Sequence, residues 1–281
     1  MDVCIYVGGH RASAQHFYGA LSQNIDTLND EGILYSKGTR RTLSHLSNAV
    51  TALKDGQNKR QVQADLLQRI MPHQDATRLI ITDMRFIGAD SRALSDDLTD
   101  FYAQLGVLFD NHSLRLFVEA RNPTSFIPAA YSEAIFSDES KSFQEFQDAY
   151  KTDGFKWSQF ITSLQAHNVD VPTLAWRYET YFDRSRELLE LFTGSSCFRT
   201  YQADAKTNPS GLSFMGAQFL YRYTKEHSDA AREIFLKHFP SDPKEDVGFY
   251  WQPEQAVSLE RQYQKDWQDI ERMKNVFTLE S

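Results

Sequence analysis

Two cysteines in 281 residues, Cys4 and Cys197, cannot build a disulfide framework or a structural zinc site. The fold has to rest on its core. No apolar run is long enough to cross a bilayer, and the first apolar segment follows no basic region and no cleavage site. The expectation is therefore a cytoplasmic protein without membrane insertion. Positive charge is scarce as well. With 30 Lys and Arg against 38 Asp and Glu the formal net charge is −8, which excludes the broad basic face of a general nucleic-acid binder. Basic side chains must act locally, and they gather at residues 37–41 and singly at Arg11 and Arg121. A Gly-Lys-Ser/Thr loop and a Gly-x-Gly-x-x-Gly fingerprint are both missing, which sets aside two common phosphate loops. Repeats and low-complexity segments are missing too.

What is present is a strand, a glycine turn and a helix at the start of the chain. Val3-Cys4-Ile5-Tyr6-Val7 is β-branched and aromatic, Gly8-Gly9 breaks it, and Phe17, Leu21, Ile25 and Leu28 then follow at helical spacing. Such a turn aims the free N–H groups of a first helical turn at one spot, where the helix dipole also favours an anion. Arg11 adds a permanent charge and a planar fork to that loop. The other reading is a bare βα turn.

Further along, Gly32 suits a helix C-cap, Ile33-Leu34-Tyr35 a short strand, and stripes over residues 43–53 and 62–71 two helices. Leu79-Ile80-Ile81-Thr82 reads as a buried parallel strand with Asp83 just beyond its carboxyl end. A helical stripe over 94–108, a strand over 114–120, a proline-started helix from Pro123, an inserted helical segment over 137–153 and a strand over 171–176 follow. From Arg184 only helices are expected, at 184–192, 213–223, 229–238 and from Pro253 to about Val276. Strands alternating with helices predict one α/β domain over residues 1–281, a mostly parallel central sheet flanked by helices with a helical C-terminal third. In such a sheet Gly8 to Arg11, Asp83 and Arg121 lie together outside the strands' carboxyl ends.

The loop Tyr6-Val7-Gly8-Gly9-His10-Arg11-Ala12-Ser13-Ala14-Gln15 resembles the phosphosulfate loop of sulfotransferases that use PAPS (3′-phosphoadenosine 5′-phosphosulfate), written Gly-x-His-Lys-Thr-Gly-Thr-Thr in bacterial carbohydrate-type members. Gly8 and His10 match, Arg11 stands for the lysine, and Ala12, Ser13, Ala14 and Gln15 replace the rest. The stretch Leu79 to Gly88 is similar to the family's strand-end pattern Ser-Glu-Glu-Asn-Leu-Leu-Gly, with Met84 in the place of the second acid and Asp83 beside it. Phe117 to Tyr131 resembles the second signature, in which an arginine and a following serine hold the 3′-phosphate. Arg121 and Tyr131 match, Ala129 takes the serine's place, and Ser125 and Ser132 are the nearest hydroxyls. Trp176-Arg177-Tyr178-Glu179, Ser210-Gly211-Leu212-Ser213 and the Pro253 to Asp266 spacing extend the likeness over nearly the whole chain.

The resemblance implies a nucleotide-binding fold of the P-loop type and sulfuryl transfer from PAPS to a hydroxyl of a carbohydrate or other small acceptor, without a metal. Gly8, Gly9, His10, Arg11, Ala12, Ser13, Ala14, Arg121 and Ser125 would hold the nucleotide. Arg11 would stabilise the leaving phosphate, and His10, His45 and Asp83 are the candidates for the base. Asp83 as a cap, His45 on an exposed helix face and Arg121 as a surface ion pair are the plain structural alternatives. The substitutions at residues 12–15, 84 and 129 support a second reading, a catalytically degenerate fold kept as a glycan- or protein-binding module. A P-loop kinase is disfavoured by the missing lysine and hydroxyl pair.

Overall fold

The computed structural model describes residues 1–9, 13–36, 40–71, 76–87, 96–136, 141–150, 154–166, 170–200, 212–223, 229–240 and 248–279. Within them, β1 (Asp2–Gly9), β2 (Ile33–Ser36), β3 (Arg78–Ile87), β4 (Ser113–Ala120), β5 (Thr173–Arg177) and β6 (Val276–Leu279) form one sheet in the order β2-β3-β1-β4-β5-β6. The pairings are all parallel. Parallel neighbours need crossovers, and helices supply them. Between β1 and β2 run α1 (Ala14–Gln23) and α2 (Ile25–Asp30), and α3 (Arg40–Lys54) and α4 (Lys59–Ile70) lead to β3. The helix α5 (Asp96–Leu108) leads to β4, then α6 (Pro123–Phe136), α7 (Phe143–Tyr150) and α8 (Trp157–Ala166) lead to β5. Last come α9 (Tyr181–Thr193), α10 (Phe214–Tyr223), α11 (Asp229–His238) and α12 (Pro253–Glu271) before β6. The expected parallel sheet flanked by helices is the fold observed.

Alternation along the strands gives the sheet two cores. Val3, Ile5 and Val7 of β1 pack with Leu116 and Val118 of β4 on the face covered by α3 to α8 and α12. Cys4, Tyr6 and Phe117 point the other way, against Phe17 of α1 and Leu188, Leu189 and Phe192 of α9. Leu79, Ile80 and Ile81 have no exposed surface, as a central parallel strand requires.

The structure departs from expectation at four places. The C-terminal third is not wholly helical: α12 ends at Glu271, Asn275 turns the chain at φ 59°, and β6 pairs Val276 with Thr173. β-branched and aromatic residues at 276–278 favour that edge strand over more helix. Helix α8 had no counterpart in the sequence reading. The first helix is two, broken at Asn24, whose side-chain amide donates to the Ala20 carbonyl at 2.9 Å. Finally, β3 runs to Ile87, so Asp83 pairs with Val7 inside the strand instead of following it.

Helix α8 begins without an acid of its own and borrows one. Asp266 of α12, 4% exposed, accepts the Trp157 N–H at 2.7 Å and the Ser158 N–H at 3.3 Å, and the Ser158 hydroxyl also donates to it. A carboxylate on the free N–H groups of a first turn both satisfies donors and matches the dipole. Asp266→Ala is expected to lower stability in urea unfolding by about 1–3 kcal/mol; a loss below about 0.5 kcal/mol would contradict this anchoring role.

Candidate functional site

β1 is central, with β3 on one side and β4 on the other, so the sheet's topological switch point lies at its carboxyl end. Gly8 and Gly9 close the strand there, with an irregularity in register between Val7 and Gly9. His10, Arg11 and Ala12 lie outside the described residues. Ser13, 2% exposed, precedes α1, and Ala14 is that helix's first residue.

The Ser13 N–H is already engaged: it donates to Glu119 Oε2 at 3.1 Å. Glu119 sits near the end of β4 with no exposed surface, on the same face as Tyr6. The Tyr6 hydroxyl donates to Oε2 at 2.5 Å, and Trp176 Nε1 of β5 donates to Oε1 at 3.2 Å. Tyr6 packs against both Phe17 and Trp176, at centroid distances of 5.2 and 5.7 Å, and those two rings also meet each other at 6.2 Å, a three-ring cluster that holds the phenol in place. Burial pushes the Glu119 carboxyl up from its ordinary range, against the pull of these donors. The Tyr6 phenol is driven well up too, by burial and then by Glu119.

One residue past β4, Arg121 is also buried, 1% exposed. Its Nε donates to Ser125 Oγ at 3.0 Å, and its guanidinium lies 4.5 Å from the centroid of the Tyr178 ring. Burial lowers its pKa while Tyr178, Glu179 and Glu119 oppose the shift; an arginine remains charged. The structure thus brings together Arg121 and Ser125, two of the residues expected to bind one phosphate.

The corner that carries Arg121 is held from several sides. Trp157 Nε1 donates to the Arg121 carbonyl at 2.8 Å. Glu179 accepts the Asn122 N–H at 2.8 Å and the Tyr263 hydroxyl at 3.1 Å. Asn122 in turn caps α6, accepting the Thr124 N–H at 3.0 Å, and its amide donates to Glu260. Pro123 takes the first helical position, where its missing N–H costs nothing.

The remaining candidates are spread out. Asp83 lies in β3 beside Val7 of β1. His45, on α3, borders a cavity of about 190 Å³ between α3 and α4 with Asn48, Asp65 and Arg69. Ser132 is buried and accepts the Leu212 N–H at 2.9 Å. The sequence reading passed over Glu119, although a lone acid within an otherwise apolar parallel strand is a recognisable signal.

No family model matches the chain, and no curated protein matches it. Solved structures similar to it include mouse sulfotransferase SULT7A1 complexed with PAP, 14% identical, covering 94% of this chain and 84% of that one with a TM-score of 0.44. Another is the sulfotransferase domain from the curacin biosynthetic pathway, 14% identical, covering 92% and 96% with a TM-score of 0.39. Likeness at this level leaves function to be argued from the residues of the site.

The Glu119 shift has a consequence for stability. A carboxyl whose folded pKa is raised holds its proton more tightly in the folded state, so stability is lost as the pH rises from about 4.3, the unfolded value, through the folded value. Urea midpoints should fall with pH across that window in the wild type and fall less in Glu119→Gln. Equal slopes in both proteins would contradict the assignment.

Proposed function

We propose that this protein transfers a sulfuryl group from PAPS to a hydroxyl of a carbohydrate or other small acceptor, in the cytoplasm. The observation that carries the reading is the pairing of Arg121 with Ser125 at the carboxyl end of β4, next to the β1–α1 turn at the switch point. PAPS, when bound, supplies the sulfuryl group and a bisphosphate leaving group. The chain's part is alignment and positive charge. Arg121 and Ser125 offer charge-assisted and neutral donors to the 3′-phosphate. The backbone N–H groups of residues 11–14, with Gly8, Gly9 and the Ser13 hydroxyl, cradle the 5′-phosphate, and Arg11 stabilises the leaving group. His10, His45 and Asp83 are the candidates to take the acceptor's proton.

One observation favours the second reading, a binding module that has lost catalysis. Glu119 occupies the Ser13 N–H that an external phosphate would use. Turnover decides between the two, since release of adenosine 3′,5′-bisphosphate with any sugar acceptor rules out a purely binding role.

Calorimetry with adenosine 3′,5′-bisphosphate tests the nucleotide site itself. Wild type should bind, and Arg121→Lys, which keeps the charge but loses the planar fork, should bind about tenfold more weakly. Undetectable binding by the wild type at high micromolar concentration, or unchanged affinity in a folded Arg121→Lys protein, would overturn the proposal.

A further inference from the structure

The start of α1, where the proposed reading seats an external anion, already holds an anion-forming group. Glu119 reaches it from β4, fully buried, and takes the Ser13 N–H on Oε2. Its other two partners, Tyr6 and Trp176, are neutral donors. Two negative charges a few ångströms apart in a dry interior repel far more strongly than in water. An anion arriving at the same helix end therefore meets an ionised Glu119 as a competitor for both the N–H and the dipole.

The network allows one way out. Of the groups around the carboxyl, the Tyr6 and Ser13 hydroxyls can reverse, changing from donor to acceptor; a backbone N–H and an indole N–H can only donate. A proton placed on Oε2 could be donated to Tyr6 Oη, and the Ser13 N–H would then be released from a charged acceptor towards the incoming anion. The charged and titratable groups around this point come from several elements. Arg121, one residue past the end of β4, feels its charge, as does Tyr178 beyond β5. Glu179 adds negative charge beside Arg121, and His16 of α1 is turned to the Tyr181 hydroxyl at 2.6 Å.

We propose that anion binding at the start of α1 is coupled to protonation of Glu119, the carboxyl taking one proton from solvent as an external sulfate or phosphate takes the Ser13 N–H. The proposal rests on reading this turn as an anion seat and adds a control on when the seat is open. Glu119 is a positioning residue here, acting through Ser13 and Tyr6.

Inorganic sulfate is the probe, because its own charge does not change near neutral pH. Wild-type affinity for sulfate, measured by calorimetry between about pH 5.5 and 8.5, should fall as pH rises, by up to about tenfold per unit, with uptake of about one proton per sulfate in buffers of differing ionisation enthalpy. In Glu119→Gln the affinity should be flat with pH and higher than wild type at the alkaline end. Tyr6→Phe, which removes a donor to Oε2, should move the wild-type midpoint to higher pH. Sulfate bound without proton uptake, pH dependence undiminished in Glu119→Gln, or no sulfate binding by either protein would each overturn the proposal. Sulfate binding with proton uptake but without bisphosphate binding would remove the nucleotide reading and leave this one standing.

Discussion

A carboxylate with no exposed surface must be ringed by donors, and Glu119 draws one from each of three elements: Tyr6 of β1, Ser13 at the start of α1 and Trp176 of β5. That requirement fixes the geometry of the switch point. Tyr6 packs in one cluster with Phe17 and Trp176, so the aromatic core under α1 and the polar network at its end form one unit. Removing any of the three donors leaves a buried acceptor short, which is costlier than losing an ordinary surface hydrogen bond.

The Arg121 corner extends this constraint to the far end of the chain. Asp266 of α12 anchors the first turn of α8, α8 presents Trp157, and Trp157 holds the Arg121 carbonyl. Tyr263 of the same long helix fixes Glu179, which fixes Asn122. The C-terminal helix thus supports the site from behind, through positions at helical spacing, 263 and 266. Its buried Trp267 also lies 4.8 Å below the Arg177 guanidinium.

Much of this was legible in the residues. The Val3-Cys4-Ile5-Tyr6-Val7 run, the Leu79-Ile80-Ile81 run and the Pro123 helix start each carry a local signal strong enough to survive tertiary context, and Asp229–His238 was read to its bounds. What was not legible depends on long-range partners. β6 is four residues whose strand state comes from pairing with β5, and α8 owes its beginning to an acid 109 positions later. The apolar run alone ends that strand at Thr82 with Asp83 just beyond it, whereas pairing with β1 carries the strand on to Ile87. Glu119 was hidden by its neighbours' apolarity. Arg121 and Ser125 were found by resemblance, and their separation of four residues on a strand-to-helix corner is what allows the 3.0 Å contact.

On the proposed reading, the β1–α1 turn and the Arg121 corner form one anion-binding crevice. A crystal structure of the complex with adenosine 3′,5′-bisphosphate tests it most directly. The prediction is a 5′-phosphate at the first turn of α1 within hydrogen-bond reach of the Ser13 N–H, and a 3′-phosphate on Arg121 and Ser125. A nucleotide bound elsewhere, with the Ser13 N–H still on Glu119 and Arg121 still closed against Tyr178, would contradict it.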